Sequence, residues 1–264
     1  LPISGRPLPA RFVAALGLVK AVAARVNGRL GLLAAERAAA IEAAATEVAA
    51  NRHDPHFPVD IYQTGSGTSS NMNANEVIAT LANRQLPIEW AVHPNDHVNL
   101  GQSSNDVIPT TLRVAAVGAV SGGLLPALEH LSTVIGGRAQ ELQHVVKTGR
   151  THLMDAMPLT FGQEFGAWQA QLDSARSRFD DCLVRLRRLP LSGTAVGTGV
   201  NADPRFAPAV VAELAEITGQ RFVTAPNLFE GLACQDDAVE LSGQLNVLAV
   251  ALMKIANDLR WMNS

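Results

Sequence analysis

Very little in this sequence would staple or anchor a chain. Its two cysteines, Cys182 and Cys234, show no CxxC spacing and no neighbouring histidine cluster. Neither a disulfide framework nor a cysteine-based zinc site is indicated, and a reducing, cytoplasmic setting is expected. Charge of one sign is also lacking: a formal net charge of −3 supplies no field to hold nucleic acid or an anionic membrane surface. The longest nearly uncharged apolar stretch, Val114 to Leu128, is interrupted by Gly118, Gly122, Gly123 and Pro126. It is shorter than a bilayer-crossing helix, so no transmembrane segment is expected. No basic-then-apolar leader opens the chain, which begins Leu1-Pro2-Ile3 without Met, and a piece of a longer protein is expected. Aromatics are only 5%, and almost no segment alternates with period two, so strands are not anticipated.

What is abundant is alanine, leucine, valine, glutamate and arginine, the composition of helices. The 264 residues suffice for one large domain or two smaller ones. Three helical segments look unusually long, about Val107 to Lys147, Pro158 to Arg188 and Phe229 to Arg260. At 1.5 Å per residue each would reach roughly 45–60 Å. Pro109 and Pro158 suit first-turn positions, while Gly122-Gly123 and Pro126 should bend the first segment without ending it. Arg185, Arg187 and Arg188 cluster at a helix end, where they favour its dipole. The third segment places Leu241, Leu245, Leu248, Leu252 and Ile255 at packing intervals, yet Val247, Val250 and Met253 make its other sides apolar too. Such a helix needs burial nearly all round, which this chain alone cannot give, so a multi-subunit bundle is expected. Shorter pieces precede it: Pro9 to Ala24, Gly31 to Asn51 and Glu76 to Arg84.

Four polar segments stand out against this background. Gln63 to Glu76 holds Gly65-Ser66-Gly67-Thr68, where glycines permit close backbone approach and hydroxyls donate, a carboxylate cradle or a polar helix cap. No Gly-Lys-Ser/Thr follows, which excludes a P-loop. His93 to Asn99 leads into Gln102-Ser103-Ser104-Asn105-Asp106 at the start of the first long helix, where free N–H groups favour an anion and where Ser104 or Asn105 would also serve as an N-cap. His93, Asp96 and His97 lack the helix-face setting of a zinc pair, and no metal is expected. Gly149 to Pro158 presents Thr151-His152 between two long helices, and imidazole titrates in the range of a general base. Ser192 to Asn201 is glycine-rich but follows no strand and contains no basic residue, which points to a tight turn lining a pocket or a subunit contact.

Together, in order and spacing, these segments resemble the signature regions of the class II fumarate hydratases of the aspartase/fumarase superfamily. The similarity runs from about Pro2 to Trp261 and is most specific over Gly65–Ala79, His93–Asp106, Gly149–Phe165 and Gly193–Asn201. His152 favours fumarase, because aspartases carry Gln there and usually Ser-Thr-Asn where Ser103-Ser104-Asn105 stands. The resemblance implies an all-α long-helix bundle contributing to a twenty-helix homotetramer core, with active sites shared between subunits. It implies an N-terminal domain over 1–104 and a central long-helix domain over 105–264. It further implies that Ser66, Gly67, Thr68, Ser103, Ser104, Asn105 and Thr151 bind dicarboxylate, that His152 acts in acid–base chemistry, and that His93, Pro94, Asn95 and Asp96 form a second anion site. No cofactor is implied for reversible hydration of fumarate to L-malate.

The pattern also departs from the family. The mobile loop Gly-Ser-Ser-x-Met-Pro-Gly-Lys-x-Asn, which carries the family's serine base, is absent from these residues, so a chain ending at Ser264 would be inert. Gly166-Ala167 replaces the more frequent Ser-Gly, and Trp90 lies near a position where some members have Arg. The competing readings are another superfamily lyase, distinguished by fumarate-dependent ammonia consumption, and a non-catalytic helical assembly protein.

Overall fold

The computed structural model describes residues 3–63 and 65–263. The fold is all-α in class: α1 (Ala10–Arg29), α2 (Ala35–Ala49), α3 (Thr68–Asn83), α4 (Ser104–Ala119), α5 (Leu125–Glu141), α6 (Phe161–Leu186), α7 (Phe206–Thr218), α8 (Leu228–Ala233) and α9 (Asp236–Met262). Strands are few but present. β1 (Val146–Thr151) and β2 (Met154–Thr160) form an antiparallel hairpin, and β3 (Arg188–Leu189) pairs in parallel with β4 (Val223–Thr224).

The hairpin overturns the expectation that strands are absent and moves the start of the second long helix. Pro158 belongs to β2, opposite Thr148, and α6 starts at Phe161. Pro109 is likewise inside α4 and not in its first turn, because the helix begins at Ser104 and not near Val107. Helix α3 begins at Thr68 and not near Glu76, so most of the first polar segment is helical. The bend expected at Gly122-Gly123 takes the form of π-helical winding over Val120–Leu124, which interrupts but does not end the helical run.

By packing, the chain forms two compact units. One comprises the described residues of Leu1–Gly118 with Leu186–Gln235; the other is Ala119–Arg185 with Asp236–Ser264 as far as it is described. This partition is discontinuous in sequence, whereas the division at 104/105 follows chain order.

In the first unit, α1 lies against α2, α3 and α7. Leu16, Val19, Val22 and Val26 of α1 recur at helical intervals and are fully buried, as are Ile41, Ala44, Ala45 and Val48 of α2. Two glycines let α1 and α2 approach closely. A Cβ on Gly17 would stand 2.5 Å from the Ala49 backbone nitrogen, and one on Gly28, three turns along, 2.7 Å from the Ala38 Cβ. At Gly17 the obstacle is backbone, which cannot rotate aside. Gly17→Ala is therefore expected to lower stability by about 1–3 kcal/mol, the usual range for overpacking a filled core. Chemical denaturation of the two proteins would measure it, and an unchanged midpoint would contradict the contact.

In the second unit, the Trp168 indole N–H donates to Asp258 Oδ2 at 3.0 Å, and Arg185 grips Glu240 with two nitrogens, at 2.7 and 2.5 Å, tying α6 to α9. Arg185 thus works as an ion-pair partner as well as a C-terminal cation. Along α9, Leu248, Ala251 and Ile255 are buried, while Val250 is 59% and Met253 63% exposed within this chain. By length and composition alone, the helical run Ser104–Glu141 and α9 would each suffice to cross a membrane, with only 33% and 17% of their most apolar windows buried. Such apolar faces require a cover, whatever supplies it.

Candidate functional site

The start of α4 organises a cleft in the first unit. Ser103 is its N-cap: its hydroxyl accepts from the Asn105 N–H at 3.2 Å, while the Ser103 N–H donates to Asp106 Oδ1 at 2.9 Å. This is the reciprocal geometry of a capping box, with Asp106 in the acidic position. Capping therefore falls to Ser103, and neither Ser104 nor Asn105 is needed for it. Asn105 donates instead to the Ala195 carbonyl at 2.7 Å.

Asp106 does more than cap. It is fully buried, and its Oδ2 accepts from the backbone N–H groups of Ser192 at 3.0 Å and Thr194 at 2.9 Å. Both residues have positive φ, 76° and 54°, in the left-handed region that such side chains rarely adopt. A buried carboxylate is thus what holds the glycine-rich fourth segment in its strained turn over the helix start. Burial pushes the Asp106 carboxyl up to about 6, against the opposing pull of its backbone donors and of Lys20.

Lys20, on α1, is fully buried, at 0% exposure. Burial lowers its ammonium to about 7, opposed by Asp106. Its Nζ donates to Asn99 Oδ1 at 2.8 Å, which also accepts from Asn71 at 3.2 Å and Asn75 at 3.3 Å. The second Asn71 hydrogen goes to Ser104 Oγ at 2.9 Å. Sequence reasoning passed over Lys20 because it sits in an alanine- and valine-rich helix, where a lone lysine reads as a solvated one.

Above this polar floor opens a cleft of about 360 Å³ lined by Asn71, Asn95, Ser103, Ser104, Thr194 and Asn201, among others. Three of the four polar segments found in the sequence therefore meet here. The fourth segment lines the cleft in a tight turn, one of the two placements expected for it. Of the second-anion-site residues, Asn95 lines the cleft, Pro94 is half-buried, and His93 and Asp96 are exposed on the π-helical turn Pro94–Val98. There the two imidazoles serve the backbone: His93 Nδ1 accepts from the Asp96 N–H at 3.2 Å, and His97 Nδ1 from the His93 N–H at 2.8 Å. Burial and nearby Arg37 lower the His97 pKa.

Ser66 and Thr68 hydrogen-bond each other at 2.9 Å at the start of α3, exposed to solvent. Between them Gly67 has φ 69°, and a Cβ there would meet Ile108 at 2.9 Å, so the turn needs glycine for both conformation and space. Thr151 and His152 belong to the second unit, at the tip of the β1–β2 hairpin, and both are exposed. The two-residue turn is His152-Leu153 with φ 51° and 60°, both left-handed as a type I′ turn demands.

A family model described as lyase matches residues 6–264 of this sequence. The chain belongs to that lyase family. It is 66% identical over 263 residues to the class II fumarate hydratase of Xylella fastidiosa, a match covering 100% of this chain and 55% of the relative. It is 52% identical over 263 residues to a class II fumarate hydratase of Pseudomonas aeruginosa, covering 100% of this chain and 57% of that one. The crystal structure of recombinant class II fumarase from Schistosoma mansoni superposes with a TM-score of 0.92 at 38% identity, over 96% of this chain and 57% of that chain. The chain thus spans little more than half the length of the relatives it matches, and the sequence similarity extends along all of it.

Proposed function

We propose that this chain is the carboxylate-binding portion of a class II fumarate hydratase, which adds water anti across the double bond of fumarate to give L-malate. The observation that carries the reading is the division of labour at the start of α4: Ser103 caps the helix, which leaves the Ser104 hydroxyl at the cleft for a ligand. The helix N-terminus supplies further N–H donors and a positive field there. Ser66, Gly67, Thr68, Asn105 and Thr151 complete the carboxylate cradle, and His93, Pro94, Asn95 and Asp96 form a second anion site. His152 is the acid–base residue.

In the reverse reaction a proton leaves the carbon beside a carboxylate, and charge accumulates on that carboxylate as a dianionic aci-form. Donors already aimed at it are worth more in the transition state than in the ground state. The site is completed by other copies of the chain in a homotetramer, and the exposed apolar faces of α9 and of the run Ser104–Glu141 support this reading by requiring a cover. The setting is cytoplasmic.

The test is Ser104→Ala in the full-length protein. KM for fumarate is expected to rise about tenfold, the worth of one hydrogen bond to a charged group, with the melting temperature unchanged. A loss confined to stability would return Ser104 to a structural role.

A further inference from the structure

The cleft floor contains a cation that packing does not require. Lys20 lies in an otherwise apolar stretch of α1 whose neighbours Leu16, Val19 and Ala23 are fully buried. A leucine would fill such a site without the desolvation that a buried ammonium incurs. What lysine provides and leucine cannot is direction, since an ammonium only donates.

That direction propagates. Because Lys20 Nζ donates to Asn99, the atom facing it must be the Asn99 carbonyl oxygen, 2.8 Å away. The same oxygen then requires donors from Asn71 and Asn75, and both turn their NH2 groups to it. They do so although the Oδ1 atoms of both are buried without a hydrogen-bond partner among the described residues. Asn99 is kept from flipping on its other side, where its own NH2 donates to the Gln102 carbonyl at 3.1 Å. With its NH2 committed, Asn71 can only donate to Ser104, so Ser104 Oγ accepts on its buried side. The Ser104 hydrogen is thereby directed away from Asn71.

We propose that Lys20 is a positioning residue that, through Asn99 and Asn71, sets the polarity of the Ser104 hydroxyl so that it donates to an anionic ligand in the cleft. This rests on the reading of Ser104 as a carboxylate ligand. Lys20 itself touches no substrate. If the chain were reversed, Asn71 would accept from Ser104, and the cleft would be offered lone pairs, which repel a carboxylate. The geometry therefore assigns to a fully buried side chain a part in selecting anions.

The experiment is a double-mutant cycle on succinate affinity, measured by titration calorimetry on the full-length protein, with thermal melts of each variant. Lys20→Met keeps the length and removes the donor. It is expected to weaken succinate binding about tenfold in the wild-type background and to have no further effect in the Ser104→Ala background. A merely structural lysine would weaken binding equally in both backgrounds, and that result overturns the inference. An unchanged affinity in the single variant overturns it as well. If Ser104→Ala binds succinate as tightly as wild type, or wild type binds none, the reading of Ser104 fails and the inference fails with it. Should Lys20→Met not fold, Asn71→Leu interrupts the same chain one link later. The expected result is then a loss of affinity that is absent from the Ser104→Ala background, and an equal loss in both sinks the proposal.

Discussion

His152→Asn in the full-length protein is expected to lower kcat by roughly 10²–10⁴-fold, the contribution of a positioned acid–base group, while leaving the melting temperature and the assembly unchanged. Asparagine is the appropriate replacement because of the backbone. His152 sits at φ 51° in a two-residue turn, and asparagine is among the few side chains that tolerate the left-handed region. Alanine would mix lost chemistry with a strained hairpin. Because His152 is exposed at the hairpin tip, few packing contacts within the chain are lost with the ring. Stopped-flow or steady-state assay of malate formation beside a thermal melt would check both halves. Turnover close to wild type would remove His152 from the mechanism, whereas a lower melting temperature would show that the imidazole supports the turn.

Asp106→Asn is expected to be the most damaging isosteric change in the first unit, at about 2–4 kcal/mol. The carboxylate receives three backbone N–H groups, from Ser103 on one oxygen and from Ser192 and Thr194 on the other. An amide has one carbonyl oxygen. If that oxygen serves Ser192 and Thr194, the NH2 faces the Ser103 N–H and two donors confront each other; if it serves Ser103, two N–H groups lose their acceptor. Either way at least one buried donor is stranded, and buried Lys20 loses its countercharge. Relief from burying a carboxylate offsets only part of this. Urea denaturation would give the magnitude. Increased protease sensitivity within 192–201 is expected as well, since Ser192 and Thr194 are held at unfavourable φ by that side chain. Wild-type stability in the variant would mean that the strained turn is supported elsewhere.

The long helical runs were legible because apolar residues at three- and four-residue spacing persist over many turns, as in Leu241 to Ile255, but their ends were not: the third breaks at Cys234-Gln235, so that α9 begins at Asp236 and not at Phe229, and the first stops at Glu141, short of Lys147. Nor was the hairpin. Gly149 and Pro158 interrupt its alternation, and its turn is His152-Leu153, with none of the Asn-Gly chemistry that marks a type I′ turn. The polar run Ser103–Asn105 marked the start of α4 better than the apolar pattern, which put it near Val107, but the cap is Ser103 and neither Ser104 nor Asn105. The Ser103-x-x-Asp106 spacing carried the signal, obscured by three consecutive polar residues that are all competent caps. The polar floor of the cleft was beyond local reading: nothing between Leu16 and Ala24 distinguishes a lysine facing solvent from one facing Asn99, 79 residues away. Only the tertiary arrangement decides that.

The discontinuity of the first compact unit bears on how this protein can vary. Its cleft is closed by contacts between Asp106 and residues 86 and 88 positions later, with Ala119–Arg185 leaving and returning in between. Bringing such distant segments together carries a loop-closure entropy on the order of 4 kcal/mol, but this grows only logarithmically with length, so that doubling the excursion adds about 0.6 kcal/mol. Insertions or deletions within the excursion are thus nearly invisible to the cleft thermodynamically. A single shift of register between Ser103 and Asp106 would dismantle it.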